Sequence, residues 1–240
     1  MLAAILFDLD GTLVNTDPLH YKAWQEILRD YKLNIDEAFY TRRISGRLNS
    51  VIIQDILPHL SLEEGQQLAE EKEACFRELA PELKPLAGVS DILAWTEECG
   101  LKRAVVTNAP RKNAHFMLKV LGLTDAFATL VLAEEAVAGK PDPAPYQLAL
   151  SHLGIAPESA IAFEDSPSGI RSSVGAGIST IGISSTHDPK HLCEAGAEMA
   201  VPDFTASPLW SWLLSLQQLI EPSASENGYP KSISGQIRWS

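Results

Sequence analysis

Cysteine is scarce in this chain. Cys75, Cys99 and Cys193 are odd in number, far apart and never in a CxxC pair, so they read as reduced packing residues rather than a disulfide framework or a zinc site. Basic residues are also few: 19 Lys and Arg stand against 31 Asp and Glu, a formal net charge of −12. That balance argues against a nucleic-acid partner, whose phosphates need a basic surface. An anionic ligand would need a metal ion and a well-placed Lys or Arg to offset the acidic field. Long hydrophobic runs are missing. No stretch approaches the roughly 20 residues of a membrane span, and no basic segment precedes the opening apolar run as in a signal peptide. The expectation is a soluble, cytoplasmic protein without membrane or nucleic-acid partners, its oligomeric state left open. What is present is ordinary: 45% of the 240 residues are hydrophobic. That suffices for a sizeable core, as one large domain or one with a small insert.

Along the chain the apolar pattern changes period. Leu2 to Phe7 is a short apolar run ahead of a glycine, which predicts a buried strand. Asp17 reads as a helix N-cap with Pro18 at the first helical position. Leu19, Ala23 and Ile27, with Trp24, make an apolar helical stripe. Helices are expected near 36–40 and over 50–57, the latter ended by Pro58. Ser61-Leu-Glu-Glu64 reads as a capping box opening a charged helix that runs to about Leu79. From Leu86 onward, strands at 103–107, 129–132, 160–164, 179–183 and 199–201 alternate with helices at 89–99, 110–121, 143–153, 168–176 and 209–220. That alternation predicts an α/β fold with a doubly wound parallel sheet. The expected organisation is an α/β core from residues 1–14 and 82–220, a wholly helical insert at 15–81 and a surface tail at 221–240. The joints Asn15–Asp17 and Ala80–Lys84 would act as hinges.

Two carboxylates, Asp8 and Asp10, stand where the first strand should stop. Residues two apart in an extended chain point to the same side, so both can face one reaction centre. Gly11 permits the sharp exit that follows. Open α/β sheets place their chemistry at the carboxyl ends of their strands. The segment Asp8-Leu-Asp-Gly-Thr-Leu-Val14 resembles the first motif of the haloacid dehalogenase superfamily. More narrowly it resembles the phosphatase and phosphomutase branch with a small helical cap, which includes β-phosphoglucomutase. Three further segments match the later motifs in order: Val105-Val-Thr107-Asn-Ala, Gly139-Lys-Pro-Asp-Pro143 and Phe163-Glu164-Asp165-Ser-Pro-Ser-Gly-Ile170. Taken singly, Thr107 reads as a turn residue, Lys140 as a solvated lysine, and Glu164 and Asp165 as acids favoured by a helix dipole. Their shared order, each at a strand end, favours one common site.

The resemblance implies a Rossmann-like core with an all-α cap and a set of roles. Asp8 would attack phosphorus and form an aspartyl phosphate, with Asp10 as general acid and base. Thr107, Asn108 and Lys140 would hold the phosphate. Mg²⁺ would sit on Asp8, the backbone carbonyl of Asp10 and Asp165, with Glu164 binding it directly or through water. A cis Lys140–Pro141 bond is also implied. In the helical insert, His20 would steer closure, whereas Trp24 reads as core.

A dehalogenase lacks the second acid of the first motif, and Asp10 is present. A phosphomutase must also hold a second phosphate in its cap. β-Phosphoglucomutase-like caps carry a Lys, an Arg and a Ser for this, and gapless alignment from Trp24 puts Ser45, Asn49 and Ile52 at those places. Arg43 and Arg47 are the only nearby anchors, and a missing anion clamp is not a conservative change. The expectation is therefore a Mg²⁺-dependent phosphatase for a small phosphate ester, a sugar or polyol phosphate, with Arg47 and Asn49 facing the substrate. A phosphomutase and a non-catalytic binding protein are the alternatives.

Overall fold

The computed structural model describes residues 1–218. The expected tail at 221–240 lies outside the described residues. Six parallel strands run β1 (Ala4–Phe7), β2 (Lys102–Thr107), β3 (Thr129–Leu132), β4 (Ala160–Glu164), β5 (Ser179–Ile183) and β6 (Met199–Val201). Their order across the sheet is β3-β2-β1-β4-β5-β6. The chain thus winds outward in one direction from β1 to β3 and in the other from β4 to β6. The reversal falls at β1, and a crevice opens beyond the strand ends where such reversals occur.

The strands are apolar because they are covered on both faces. Ile5 and Phe7 of β1 join one core cluster, whereas Ala4 and Leu6 join another on the opposite face, as the period of two requires. On the first face pack α5 (Val89–Glu98), α6 (Arg111–Val120) and α10 (Ser207–Gln218), through residues such as Ile92, Met117 and Leu213. On the second, α7 (Ala144–Leu153) brings Tyr146, Ala149 and Leu150. Phe7 stacks on Phe163 at 5.5 Å and meets Phe127 edge-on at 5.7 Å. Full burial of such a ring is worth about 1.5–3 kcal/mol. It anchors the strand end from which Asp8 projects.

Between β1 and α5 lie four helices in succession, α1 (Asp17–Asp30), α2 (Glu37–Arg43), α3 (Asn49–Ile56) and α4 (Leu62–Leu79). They enclose an apolar cluster of their own, with Trp24, Leu28, Tyr40, Ile52 and Leu68. Ala23 and Phe76, by contrast, belong to the main core. The capping box opens α4 as expected: Glu64 N–H donates to Ser61 Oγ at 3.3 Å and Ser61 N–H to Glu64 Oε2 at 2.7 Å. Asp36 caps α2 by accepting from Phe39 N–H at 2.7 Å.

Asp17 departs from expectation. Thr16 is the N-cap of α1 and Asp17 its first helical residue. The Asp17 carboxylate accepts instead from Tyr40 Oη at 2.7 Å and Ser45 Oγ at 3.3 Å, tying α1 to the α2–α3 region. Two helices were not foreseen in full form: α8 starts at Pro167 (Pro167–Gly175), and α9 (Pro189–Glu194) was missed although Asp188-Pro189 carries a cap signal. The helix expected at 209–220 begins earlier, at Ser207, and its last two residues fall outside the described residues. No helix among the described residues is long and apolar enough to cross a membrane.

Candidate active site

β1 stops at Phe7, and Asp8 extends its ladder by one bond, its N–H donating to Phe163 O at 3.0 Å. The chain then turns through Gly11 at φ +83°, where any side-chain carbon would overlap Asp165 Oδ2. Glycine is needed there for conformation and for space alike. Asp8 and Asp10 both precede this turn. Both border one cavity of about 420 Å³, which lies between the strand ends and the helical segment.

Lys140 links the opening acids to the fourth motif. Its Nζ donates to Asp8 Oδ1 at 2.6 Å, Glu164 Oε1 at 2.6 Å and the Val106 carbonyl at 2.7 Å. Its backbone is held by Asn108, whose Oδ1 accepts from Lys140 N–H at 3.0 Å and whose Nδ2 donates to Lys140 O at 3.3 Å. The Lys140–Pro141 bond is cis, as the resemblance implied. Thr107 ends β2, fully buried, and its Oγ1 accepts from Ala109 N–H at 3.0 Å, shaping the turn that borders the cavity.

Glu164 is fully buried at the end of β4. Its Oε1 also accepts from Tyr146 Oη at 2.7 Å, while Oε2 has no hydrogen-bond partner among the described residues. Asp165 accepts from the Thr186 hydroxyl. Oxygens of Asp8, Glu164 and Asp165 lie within 4.8 Å of one another, all three buried. Burial and the neighbouring Glu164 outweigh the pull of Lys140 and push Asp8 up to about 7. Burial, Asp8 and Glu164 likewise hold Asp165 well above the ordinary carboxylate value. Three carboxylates against one ammonium leave negative charge uncompensated. Hard oxygen donors, excess charge and an orphaned carboxylate oxygen fit a divalent cation such as Mg²⁺.

Asp10 points elsewhere. Its Oδ1 accepts from Thr16 Oγ1 at 2.7 Å and lies 3.5 Å from His20 Nε2. Burial works against its ionisation, but the His20 and Thr16 contacts outweigh it and hold the carboxyl below its usual value. His20 stacks on Phe76 at 4.2 Å, and its Nδ1 is 2.8 Å from Lys72 Nζ. Trp24 is buried in the helical cluster as expected, though it also borders the cavity. Arg47 and Asn49 reach the cavity wall, but both are engaged. Arg47 NH1 donates to Asp55 Oδ2 at 2.8 Å and to Arg43 O at 2.6 Å, and Asn49 Nδ2 donates to Glu73 Oε1 at 2.6 Å.

Several neighbours escaped sequence reasoning. Tyr146 lies beneath Lys140, with Nζ 5.3 Å from its ring centroid; no motif marks it. Thr16 and Thr186 sit in loops without any periodic signal. Lys72 did carry one: it continues the stripe Leu68, Lys72, Phe76 at helical spacing, so a lysine occupied an apolar face.

The sequence profile of haloacid dehalogenase-like hydrolases matches residues 5–183. A phosphorylated carbohydrates phosphatase from Thermotoga maritima is 33% identical over 207 residues, covering 82% of this chain and 92% of that protein. The validoxylamine A 7'-phosphate phosphatase of Streptomyces hygroscopicus subsp. limoneus is 32% identical, covering 81% and 92%. Among solved structures, CbbY from Rhodobacter sphaeroides in complex with xylulose-(1,5)bisphosphate superposes with a TM-score of 0.74 at 27% identity, covering 85% of this chain and 95% of that one.

Proposed function

Since this chain belongs to the haloacid dehalogenase-like hydrolase family and is a phosphoric monoester hydrolase, we propose that it is a Mg²⁺-dependent phosphatase of a small sugar or polyol phosphate, acting through an aspartyl phosphate on Asp8. The observation that carries this reading is the meeting of Asp8, Lys140, Glu164 and Asp165 at one end of the sheet. The named phosphatases among its relatives act on phosphorylated carbohydrates and on validoxylamine A 7'-phosphate, which supports the substrate class. In this reading residues 15–81 are a cap over a core of 1–14 and 82–220, hinged near Asn15–Asp17 and Ala80–Lys84. The three free cysteines suit the reducing cytoplasm, where we place the protein.

An Asp8 oxygen attacks phosphorus in line as the ester P–O bond breaks. Asp10, kept ionised in the free protein despite its burial by its His20 and Thr16 contacts, takes up a proton as the ester binds, gives it to the leaving oxygen, then takes one from the water that releases phosphate from Asp8. Thr16 and His20 orient the Asp10 carboxyl for both transfers. Lys140 holds Asp8 and balances charge on the transferred group, with the Thr107–Asn108 turn beside it. Asp8, the backbone carbonyl of Asp10, Asp165 and Glu164 would hold Mg²⁺, which would neutralise charge on the phosphate. The engaged state of Arg47 and Asn49 speaks against the phosphomutase alternative, which needs a second phosphate clamp.

The test is phosphate release from a sugar-phosphate panel with Mg²⁺, run beside Asp8→Asn. We expect the variant to lose at least about a thousandfold in kcat while keeping its far-UV circular dichroism. Wild-type rates in Asp8→Asn would refute the nucleophile assignment, and silence of the unsubstituted protein across the panel would favour the non-catalytic alternative.

A further inference from the structure

Tyr146 belongs to none of the four motifs, yet its hydroxyl reaches the acidic cluster. It stands in the first turns of α7, just past the Lys140–Pro141 bond. Its ring is fully buried and joins Ala149, Leu150 and Leu153 in the apolar cluster on the second face of the sheet. A phenylalanine would fill that space equally well, so the hydroxyl is what distinguishes the residue. A buried hydroxyl needs a partner, and this one has a charged acceptor: Oη donates to Glu164 Oε1 at 2.7 Å. Burial first, then the Glu164 and Asp8 charges, hold the hydroxyl well above its usual pKa, so it stays a donor.

Glu164 needs such a donor. Lys140 also bonds Oε1, at 2.6 Å, but an ammonium has three hydrogens, and Asp8 Oδ1 and the Val106 carbonyl take the others. Its hold on Glu164 is shared and rides on a flexible stem. Tyr146 brings a rigid ring and one committed hydrogen. That ring also lies under Lys140, with Nζ 5.3 Å from its centroid, so one side chain steadies both members of the pair. The carboxylate is thereby held in one orientation, Oε1 on its two donors and Oε2 beside Gly169, where a side-chain carbon would overlap it. In that orientation an oxygen of Glu164 joins oxygens of Asp8 and Asp165 within 4.8 Å.

From this we infer that Tyr146 is a positioning residue of the cation site: its hydroxyl fixes the Glu164 carboxylate, so that Asp8, Glu164 and Asp165 are set for a divalent cation before one binds. The inference deepens the proposed function, since it rests on reading these acids as a Mg²⁺ site. Without the hydroxyl only the shared ammonium holds Glu164, and the carboxylate can close on Lys140 with both oxygens and leave the triad. Losing a partner of this kind costs about 10–100-fold in metal affinity.

The experiment measures metal binding rather than turnover. Full-length protein stripped of metal is titrated calorimetrically with Mg²⁺ as the unsubstituted chain, as Tyr146→Phe and as Leu150→Val, a packing control on the same helix. The expected result is a Kd at least about tenfold higher in Tyr146→Phe, with its far-UV circular dichroism retained. Leu150→Val should lower the metal-free melting temperature yet keep Kd within about twofold. A merely structural role for Tyr146 would lower its melting temperature and leave Kd as unmoved as in the control. A smaller loss or a tighter Kd in Tyr146→Phe, equal losses in both variants, loss of the fold in Tyr146→Phe, or no Mg²⁺ binding by the unsubstituted chain overturns the inference. Phosphate release is judged separately. A protein that hydrolyses esters while Tyr146→Phe leaves Kd unmoved loses this inference alone; one that shows the expected pattern and hydrolyses nothing keeps it and loses the enzyme.

Discussion

Gly169 carries no functional group, yet it decides whether Glu164 can stand where it does. A side-chain carbon there would overlap the Glu164 carboxylate, the one whose Oε2 lacks a partner. Gly169 lies inside α8, where alanine ordinarily stabilises by up to about 1 kcal/mol. Here the sign should reverse. Gly169→Ala is expected to cost about 1–3 kcal/mol in urea unfolding and to lower phosphatase activity by displacing Glu164 from Lys140. A stability gain would mean that the crowding at Glu164 is not real. Gly11 shows the same economy of space against Asp165, with a positive φ added. At this scale the motif string marked charged residues that the fold brings together, Asp8, Lys140, Glu164 and Asp165, but the uncharged partners Tyr146, Thr16 and Thr186 stayed hidden, because a hydroxyl looks alike in sequence whether or not it meets a buried carboxylate.

Among the elements, α4 reaches the helical cluster, the cavity and the main core together. Its buried stripe places Leu68 in the helical cluster, Lys72 and Glu73 at the cavity and Phe76 in the main core. The start of the helix therefore sets which residues face inward. Ser61 supplies the cap, exposed and remote from the cavity, and Ser61→Ala is expected to cost about 1 kcal/mol. That corresponds to about 2–4 °C in Tm for a protein of this size, with little change in turnover; a thermal melt and a rate assay check both. The α1 start teaches the complementary lesson. Asp17-Pro18 has the chemistry of a cap, but the hydroxyls of Tyr40 in α2 and Ser45 in the turn after it compete for the carboxylate, and the cap moves back to Thr16. Local cap preferences amount to about 1 kcal/mol, which a pair of tertiary hydrogen bonds can offset.

For the molecule as a whole, the strand reversal at β1 brings the segments that follow β1, β2, β3, β4 and β5 around one cavity. Crowding Asp8, Glu164 and Asp165 with one lysine stores repulsion that a divalent cation would relieve. Adding Mg²⁺ to protein stripped of metal should raise Tm. At a hundredfold excess over Kd the linkage is about 2.7 kcal/mol, or about 5–10 °C. Asp165→Asn should shrink that increment while leaving the metal-free protein no less stable, since one crowded carboxylate is gone. A melting temperature indifferent to Mg²⁺ would count against the cation site.

By itself the sequence determined the alternation of strands and helices, the helical run between β1 and α5, and the candidate residues Asp8, Asp10, Thr107, Lys140, Glu164 and Asp165. These are local matters: periodicity, caps and short motifs are written in neighbouring residues. Only the tertiary structure decided what meets what. Lys140 reaches Asp8 across 132 positions of chain, and Glu73 gathers Asn49 and Asn113 from 24 and 40 positions away. A carboxylate in a charged helix reads as solvated until packing turns it inward, because burial and pairing are properties of the folded surroundings and not of the residue.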